Sequence, residues 1–358
     1  MNLQNQPSNT SPDSTPVVKK KGFLRRHAAA FVITVIAVAA IAACALTWAL
    51  TRHDGSPQWI FLPRNASVDA VADSLRSALG EKEGNRVFSL WKLQGGKPEK
   101  AHGAYRVETG QSALRTARRI ATGAQTPVRL TFNNIRTIDQ LADRIGQIME
   151  CQADSFLHSA DTVLATRGFT EPEYVAAFLP DTYEMYWTAR PDAIVRRLLS
   201  YRDNFWTPER RAQAQALGLT PAQVATLASI VEEESNKTDE YPKIARLYLN
   251  RLSRGMRLQA DPTVKFATGN FDLRRVRGRH LSLKSPYNTY QNEGLPPGPI
   301  RLADRRAIDA VLSAPEYPYL YMCARSDFSG YHDFASDYQT HRANARRYQQ
   351  ALNRRSIK

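Results

Sequence analysis

Residues 220–235 read TPAQVATLASIVEEES. Thr220 suits a helix N-cap, because its hydroxyl can accept from an early backbone N–H. Pro221 suits the first helical position, where its missing N–H costs nothing. Val224, Leu227, Ala228 and Val231 then recur at i, i+3, i+4 and i+7, which predicts one buried stripe. Three carboxylates close the run: Glu232, Glu233 and Glu234. At about 100° per residue their directions differ. Glu233 points roughly opposite the stripe, and Glu232 lies on one flank near Ala225 and Ala228. Glu234 lies on the ridge of Leu227 and Ile230 and has the bulkier apolar neighbours. Desolvation there raises its pKa toward what a general acid needs at neutral pH, and two adjacent acids push the same way. A solvated acidic helix end would have the same spacing, although it opposes the helix dipole.

Downstream, IARLYLNRL (244–252) reads as a second amphipathic helix. It leads into NRLSRGMRLQADPTV (250–264), then SPYNTYQNEGLPPGPI (285–300), then YLYMCARSDFSGYHDF (319–334). These stretches set Tyr, Asn, Gln and Arg on Pro-stiffened backbone. Sugar-binding clefts use that palette: aromatic faces for pyranose rings, amides and guanidinium groups for hydroxyls, N-acetyl groups and carboxylates. Each motif alone could be an ordinary turn.

Taken together, LASIVEEES and the three later motifs, in this order, resemble the endolytic murein transglycosylases, the MltG or YceG-like family. The resemblance runs over about residues 57–353 and is densest from 221 to 335. GAYRV (103–107) and FLPDTY (178–183) also look like family segments. It implies a membrane anchor, a LysM-like region and a C-terminal catalytic domain. It makes the Glu just before the Ser, here Glu234, the catalytic acid, and it implies no metal or organic cofactor. Two places depart from the family pattern. Glu233 stands where Lys is common, and Arg274, Arg275, Arg277, Arg279, His280 and Lys284 form an unusually basic run.

The implied reaction cleaves the β-1,4 bond between N-acetylmuramic acid and N-acetylglucosamine. Glu234 protonates the glycosidic oxygen, and the C6 hydroxyl closes a 1,6-anhydro ring without a second carboxylate to activate water. Candidate cleft residues are Arg257, Gln259, Asp261, Tyr287, Asn288, Thr289 and Tyr290. Asp261 could equally be a capping or turn residue, and His332 a structural one. Three rival readings stay open. They are a muramidase-type hydrolase with Asp261 as second carboxylate, a non-catalytic wall-binding scaffold, and an anchored nucleic-acid binder. The last lacks any nucleic-acid motif.

Upstream, SVDAVADSL (67–75) matches TIDQLADRI (137–145) at an offset of 70 residues. Ser67 and Thr137 suit N-caps, each with an acid in the first turn. Each follows a short apolar run, WIFL (59–62) or VRLTF (128–132), that reads as a strand. A strand leading into a capped helix, used twice, predicts small α+β units, and two ordinary helices alike by chance are the alternative. The strand–helix start resembles that of glycan-binding LysM modules. Residues 154–206 read as mostly helical, interrupted at FLPDTY (178–183), where the Pro stops a helix.

At the N-terminus, Ala28 to Leu50 runs 23 residues without a charge. At about 1.5 Å per residue it reaches about 34 Å, enough for a hydrocarbon core of about 30 Å. A cleavable signal sequence is the rival, but its apolar region is normally shorter. Residues 1–18 read as a disordered polar tail. Lys19, Lys20, Lys21, Arg25 and Arg26 precede the span, against Arg52 just behind it, which predicts a cytoplasmic N-terminus and an external remainder.

The chain of 358 residues carries a net charge of +15. The five cations and Asp13 give the segment before the span +4, which leaves +11 for the external part. That excess fits an anionic polymer such as peptidoglycan, and membrane lipid for the +4. Three Cys (Cys44, Cys151 and Cys323) form no CxxC pair, and Cys151 and Cys323 are free to pair or not. The predicted fold class is α+β. It comprises a basic tail (1–27), a transmembrane helix (28–50), a LysM-like glycan-binding region (51–153) and a mixed α/β catalytic domain (154–358). The implied partners are peptidoglycan strands, the inner membrane and cell-wall synthases, with no nucleic acid.

Overall fold

A computed structural model describes residues 21–273 and 276–355. The predicted polar tail (1–18), Lys19, Lys20, Arg274 and Arg275 lie outside the described residues. The chain is a mixed α+β protein with three two-stranded sheets among the described residues. It divides into two compact units: residues 1–60, 66–101 and 105–124, and residues 61–65, 102–104 and 125–358.

The first unit holds the apolar helix Lys21–Leu50, which starts inside the basic run rather than after it. Phe31, Ile33 and Ile41 are each about two-thirds exposed along it, while Ala49 near its end is buried. By length and composition, Ala28–Leu50 suffices to cross a membrane. Beyond it, the helix Val68–Leu79 is capped as the sequence predicts, with Ser67 Oγ accepting from Ala70 N at 3.1 Å. Val71, Leu75, Val87, Leu90, Trp91 and Ile120 are fully buried.

Strand β1 (Gln58–Leu62) pairs with β2 (Gly103–Val107), and the division between the units falls within both strands.

The second unit opens on β3 (Val128–Phe132) and the helix Ile138–Ile148, capped by Thr137 Oγ1 on Gln140 N at 3.2 Å. Both halves of the repeat are therefore a strand followed by a capped helix. β3 pairs antiparallel with β4 (Asp181–Met185), in a register that sets Leu130 opposite Tyr183 and Phe132 opposite Asp181. Residues 154–206 are mostly helical as read, and the interruption at 178–183 opens β4. This strand lies between a short 3₁₀ turn (Glu171–Ala177) and the helix Pro191–Phe205. DTYEM alternates weakly, and its pairing depends on a partner some 50 residues away.

The acidic helix is Pro221–Glu234, with Thr220 at the N-cap and a capping box in which Gln223 answers back to the Thr220 backbone. Its predicted single stripe is an underestimate. Ala222 and every residue from Val224 to Val231 are buried, so the helix runs through the core rather than along its edge. Each fully buried Val, Leu or Ile there stabilises by roughly 1.5–3 kcal/mol. Leu227, Ile230 and Val231 pack with Ile244, Leu247 and Tyr248 of the helix Tyr241–Ser253. Ile308 and Val311 of the helix Arg305–Leu312 complete that cluster. β5 (Tyr321–Ala324) and β6 (His332–Ala335) form an antiparallel pair ahead of the last helix, Tyr338–Arg354. Cys151 and Cys323 are free thiols in this structure.

Candidate active site

The C-terminal turn of the acidic helix sends its three carboxylates to different partners. Glu233 takes Arg301 Nη1 at 2.6 Å and Arg136 Nη2 at 3.1 Å. Glu232 takes Arg301 Nη2 at 3.2 Å and the backbone N–H of Asp304 at 2.8 Å. Two guanidinium groups thus offset the unfavourable polarity of an acidic helix end. Glu234 is left with a phenol: Tyr248 Oη donates to its Oε1 at 2.5 Å.

Glu234 lines a cavity of about 280 Å³. Its side chain is half-buried, open toward the cavity and crowded by protein elsewhere. Desolvation is the main force on its carboxyl and pushes the pKa up to about 7. The Tyr248 hydrogen bond pulls it down, the negative charge of Asp261 pushes it up, and Lys265 and Arg251 pull it down. The largest like-charge effect on Glu234 is therefore that of Asp261. Glu232 and Glu233, expected to repel it, are held by arginines instead.

The cavity walls come from four further segments. Leu247, Tyr248 and Arg251 stand on the neighbouring helix. Leu258, Gln259 and Asp261 follow in the loop after it. Tyr290 comes from the SPYNTY stretch, and Met322, Cys323, Ala324 and His332 come from β5 and β6. Arg251 is buried and organises the loop. Its Nε donates to Leu320 O at 2.7 Å, and its Nη1 to Leu258 O at 2.8 Å and Arg257 O at 3.0 Å. Gln259 is turned into the left-handed region at φ +55°. That costs about 1 kcal/mol or more for a residue with a Cβ. Its backbone N–H donates to Thr289 O at 3.1 Å, and its Oε1 accepts from Arg251 at 3.3 Å.

Of the seven cleft candidates, the structure brings Gln259, Asp261 and Tyr290 to the cavity with Glu234. Tyr290 Oη donates to Asp261 Oδ1 at 2.7 Å. The other four are elsewhere. Asn288 is fully buried and donates to Leu281 O and Leu283 O at 3.0 and 2.8 Å, which closes its own loop. Thr289 is buried against Ala260 and Thr263. Tyr287 packs on Phe266 with ring centroids 4.7 Å apart. Arg257 is exposed and reaches Tyr290 O at 3.4 Å.

Sequence reading missed Tyr248 and Arg251. The available signal was their position: Ile244, Leu247, Tyr248 and Arg251 fall at i, i+3, i+4 and i+7. A phenol and a guanidinium on an apolar face must find buried partners.

The YceG-like family model matches residues 60–347. The chain belongs to the YceG-like family. YceG-like proteins of similar sequence include an endolytic murein transglycosylase of Bacillus subtilis, 36% identical over 38% of this chain and 36% of that relative. An endolytic murein transglycosylase of Streptococcus pneumoniae is 25% identical over 74% of this chain and 53% of that relative. This YceG-like chain spans about half, or less, of the length of those curated relatives. A crystal structure of a yceG-like protein from Listeria monocytogenes shares the fold. Its TM-score is 0.55 at 22% identity, and the match covers 80% of this chain and 98% of that one.

Proposed function

We propose that this chain is a membrane-anchored endolytic lytic transglycosylase acting on peptidoglycan. The observation that carries the reading is Glu234, a carboxyl driven to a pKa of about 7 in a cavity where its one close partner is a phenol. Such a group is poised near neutral pH and can both give and take a proton. Two relatives carry the name endolytic murein transglycosylase, which supports the same chemistry.

The proposed mechanism follows from one acid. Glu234 donates its proton to the oxygen linking N-acetylmuramic acid to N-acetylglucosamine, and the C1–O bond breaks. The Glu234 carboxylate then takes the proton of the muramic C6 hydroxyl, whose oxygen bonds to C1. The products are a 1,6-anhydro end and a free 4-hydroxyl, with no water consumed. The nucleophile is part of the substrate, so its attack needs only positioning. Asp261, oriented by Tyr290, stabilises the oxocarbenium character that develops at the ring.

The helix Ala28–Leu50 serves as a single-pass inner-membrane anchor, with the basic N-terminal segment cytoplasmic and the remainder outside. Residues 51–153 form a LysM-like glycan-binding region, and 154–358 carry the chemistry. Each repeat half runs strand, two longer helices, a short helical turn and a strand, Gln58–Val107 and Val128–Met185, and the first of these lies within the proposed glycan-binding region. An anchored endolytic enzyme acts on strands as they emerge at the membrane, which points to release of nascent glycan beside the cell-wall synthases. The external excess of cations faces the pendant carboxylates of that polymer, and no nucleic-acid role is assigned.

A muramidase-type hydrolase is the second reading, favoured by Asp261 sharing the cavity as a second carboxylate. The test is digestion of purified peptidoglycan with the full chain in detergent, with mass spectrometry of the products. Anhydro-muramyl ends, lighter by one water, are expected. Reducing ends would establish the hydrolase, and binding without cleavage would leave a wall-binding scaffold.

A further inference from the structure

The cleft does not stop at His332. A second cavity of about 440 Å³ opens on the other side of this imidazole, and His332 lines both. Its volume falls within the range of about 300–1,000 Å³ typical of small-molecule sites. Asp239, Glu240, Lys243, Arg325 and Asp333 line it with charge, Arg325 3.4 Å from Asp333, and Tyr319, Tyr331 and Phe334 complete its wall.

His332 is fixed where the two cavities meet. Its backbone N–H donates to Glu240 Oε1 at 2.8 Å, and its Nδ1 lies 2.9 Å from Glu240 Oε2. Ser235, the residue after Glu234, donates to the same Oε2 at 2.9 Å. Glu240 is 3% exposed, so its carboxylate lives on these three donors. An acceptor at Nδ1 makes that nitrogen the N–H, which leaves Nε2 as the ring atom able to meet a ligand. Through Ser235 and Glu240 the imidazole is also tied to the turn that carries Glu234.

We propose that the second cavity is a saccharide subsite for the disaccharide unit adjoining the one held at Glu234, with His332 as the contact common to both units. The proposal rests on the transglycosylase reading and extends it. An endolytic enzyme must hold sugars on both sides of the bond it breaks, so a chain bound at Glu234 has to continue somewhere. Asp239 accepts from ring hydroxyls, and Lys243 and Arg325 donate to N-acetyl oxygens or to a stem carboxylate. Tyr331 Oη, 3.5 Å from Asp239 Oδ1, adds a hydroxyl to this polar wall.

The test uses the full chain carrying Glu234→Gln in detergent, so that substrate binds without turnover. Peptide-free glycan oligomers of two, four and six sugars, cut from purified strands, are titrated by calorimetry. The proposal expects about a tenfold gain in affinity from two sugars to four, equivalent to about 1.4 kcal/mol. Tyr331→Ala, and separately Lys243→Ala, should return the four-sugar affinity to within about twofold of the two-sugar value. Melting curves report whether each variant is folded. Equal affinity at all lengths overturns the subsite, as does a gain that survives both variants. If that result comes with anhydro ends from the parent chain, the role of Glu234 stands and the subsite alone fails. If the parent leaves peptidoglycan uncut, both fail together.

Discussion

Tyr248 Oη sits 2.5 Å from Glu234 Oε1 and donates to it. This bond joins the last turn of one core helix to the middle of the next and sets the proton affinity of the proposed acid. A hydrogen bond to the charged form favours that form, so it holds the carboxyl below the value that burial alone would give. In Tyr248→Phe that restraint is gone and the Glu234 pKa rises. The alkaline fall of activity, read from kcat/KM against pH on solubilised glycan strands, should move to higher pH. The variant should also lose about 1–3 kcal/mol of stability from the unpaired carboxyl oxygen. An alkaline limb that stays put would mean Tyr248 does not tune the acid.

Asp261→Asn should act in the opposite sense. Its negative charge raises the Glu234 pKa, so neutralising it lets that pKa fall. The alkaline limb then moves to lower pH, while the cleaved ends stay anhydro. Loss of all cleavage accompanied by reducing ends in the parent digest would make Asp261 the base of a hydrolase.

Glu234→Gln should abolish cleavage, a loss of about 10²–10⁴-fold for a removed general acid or more where it acts twice. Its effect on stability depends on pH. Folding raises this carboxyl from its ordinary 4.5 to about 7, so the fold favours the protonated form. That contribution is whole below about pH 4.5 and is lost as pH rises through 7. Well above pH 7 the parent therefore carries a penalty on the order of 3 kcal/mol that the amide does not. The variant should melt above the parent at pH 9 and level with it at pH 4.5. Equal melting at both pH values would sink the assignment of a desolvated carboxyl.

Arg301→Ala should destabilise more than Arg136→Ala. Arg301 serves both Glu232 and Glu233, whereas Arg136 serves Glu233 alone. Removing Arg301 leaves Glu232 with the Asp304 amide and Glu233 with Arg136, at a cost of about 3 kcal/mol. Urea unfolding of the two variants gives the order directly.

The acidic helix was legible because its signals are local. A Thr–Pro start, a run of apolar residues and a ridge four and seven residues long fix both its bounds and the face of Glu234. β4 was not legible, since its strand state comes from pairing with β3 rather than from DTYEM itself. Asn288 and Thr289 were read as sugar contacts because polar residues in a Pro-rich loop look alike whether they meet a ligand or their own backbone. Here they satisfy buried carbonyls, amides and hydroxyls of the loop. Arg257 and Tyr287 neighbour true cavity residues in sequence, but alternate loop positions face different ways. The arginine clamp on Glu232 and Glu233 needed Arg136 and Arg301, far apart in the chain, and no local pattern reports such a meeting.

That clamp has a consequence in chemical reactivity. Diazo reagents esterify the protonated carboxylic acid and pass over the carboxylate. Near pH 6 ordinary Asp and Glu side chains are ionised. Glu232 is raised too, but its oxygens are taken by Arg301 and the Asp304 amide. Among the described acidic side chains, Glu234 combines a raised pKa with an open cavity in front of it. A diazo reagent small enough to enter would mark this one glutamate, and so report the site without a substrate.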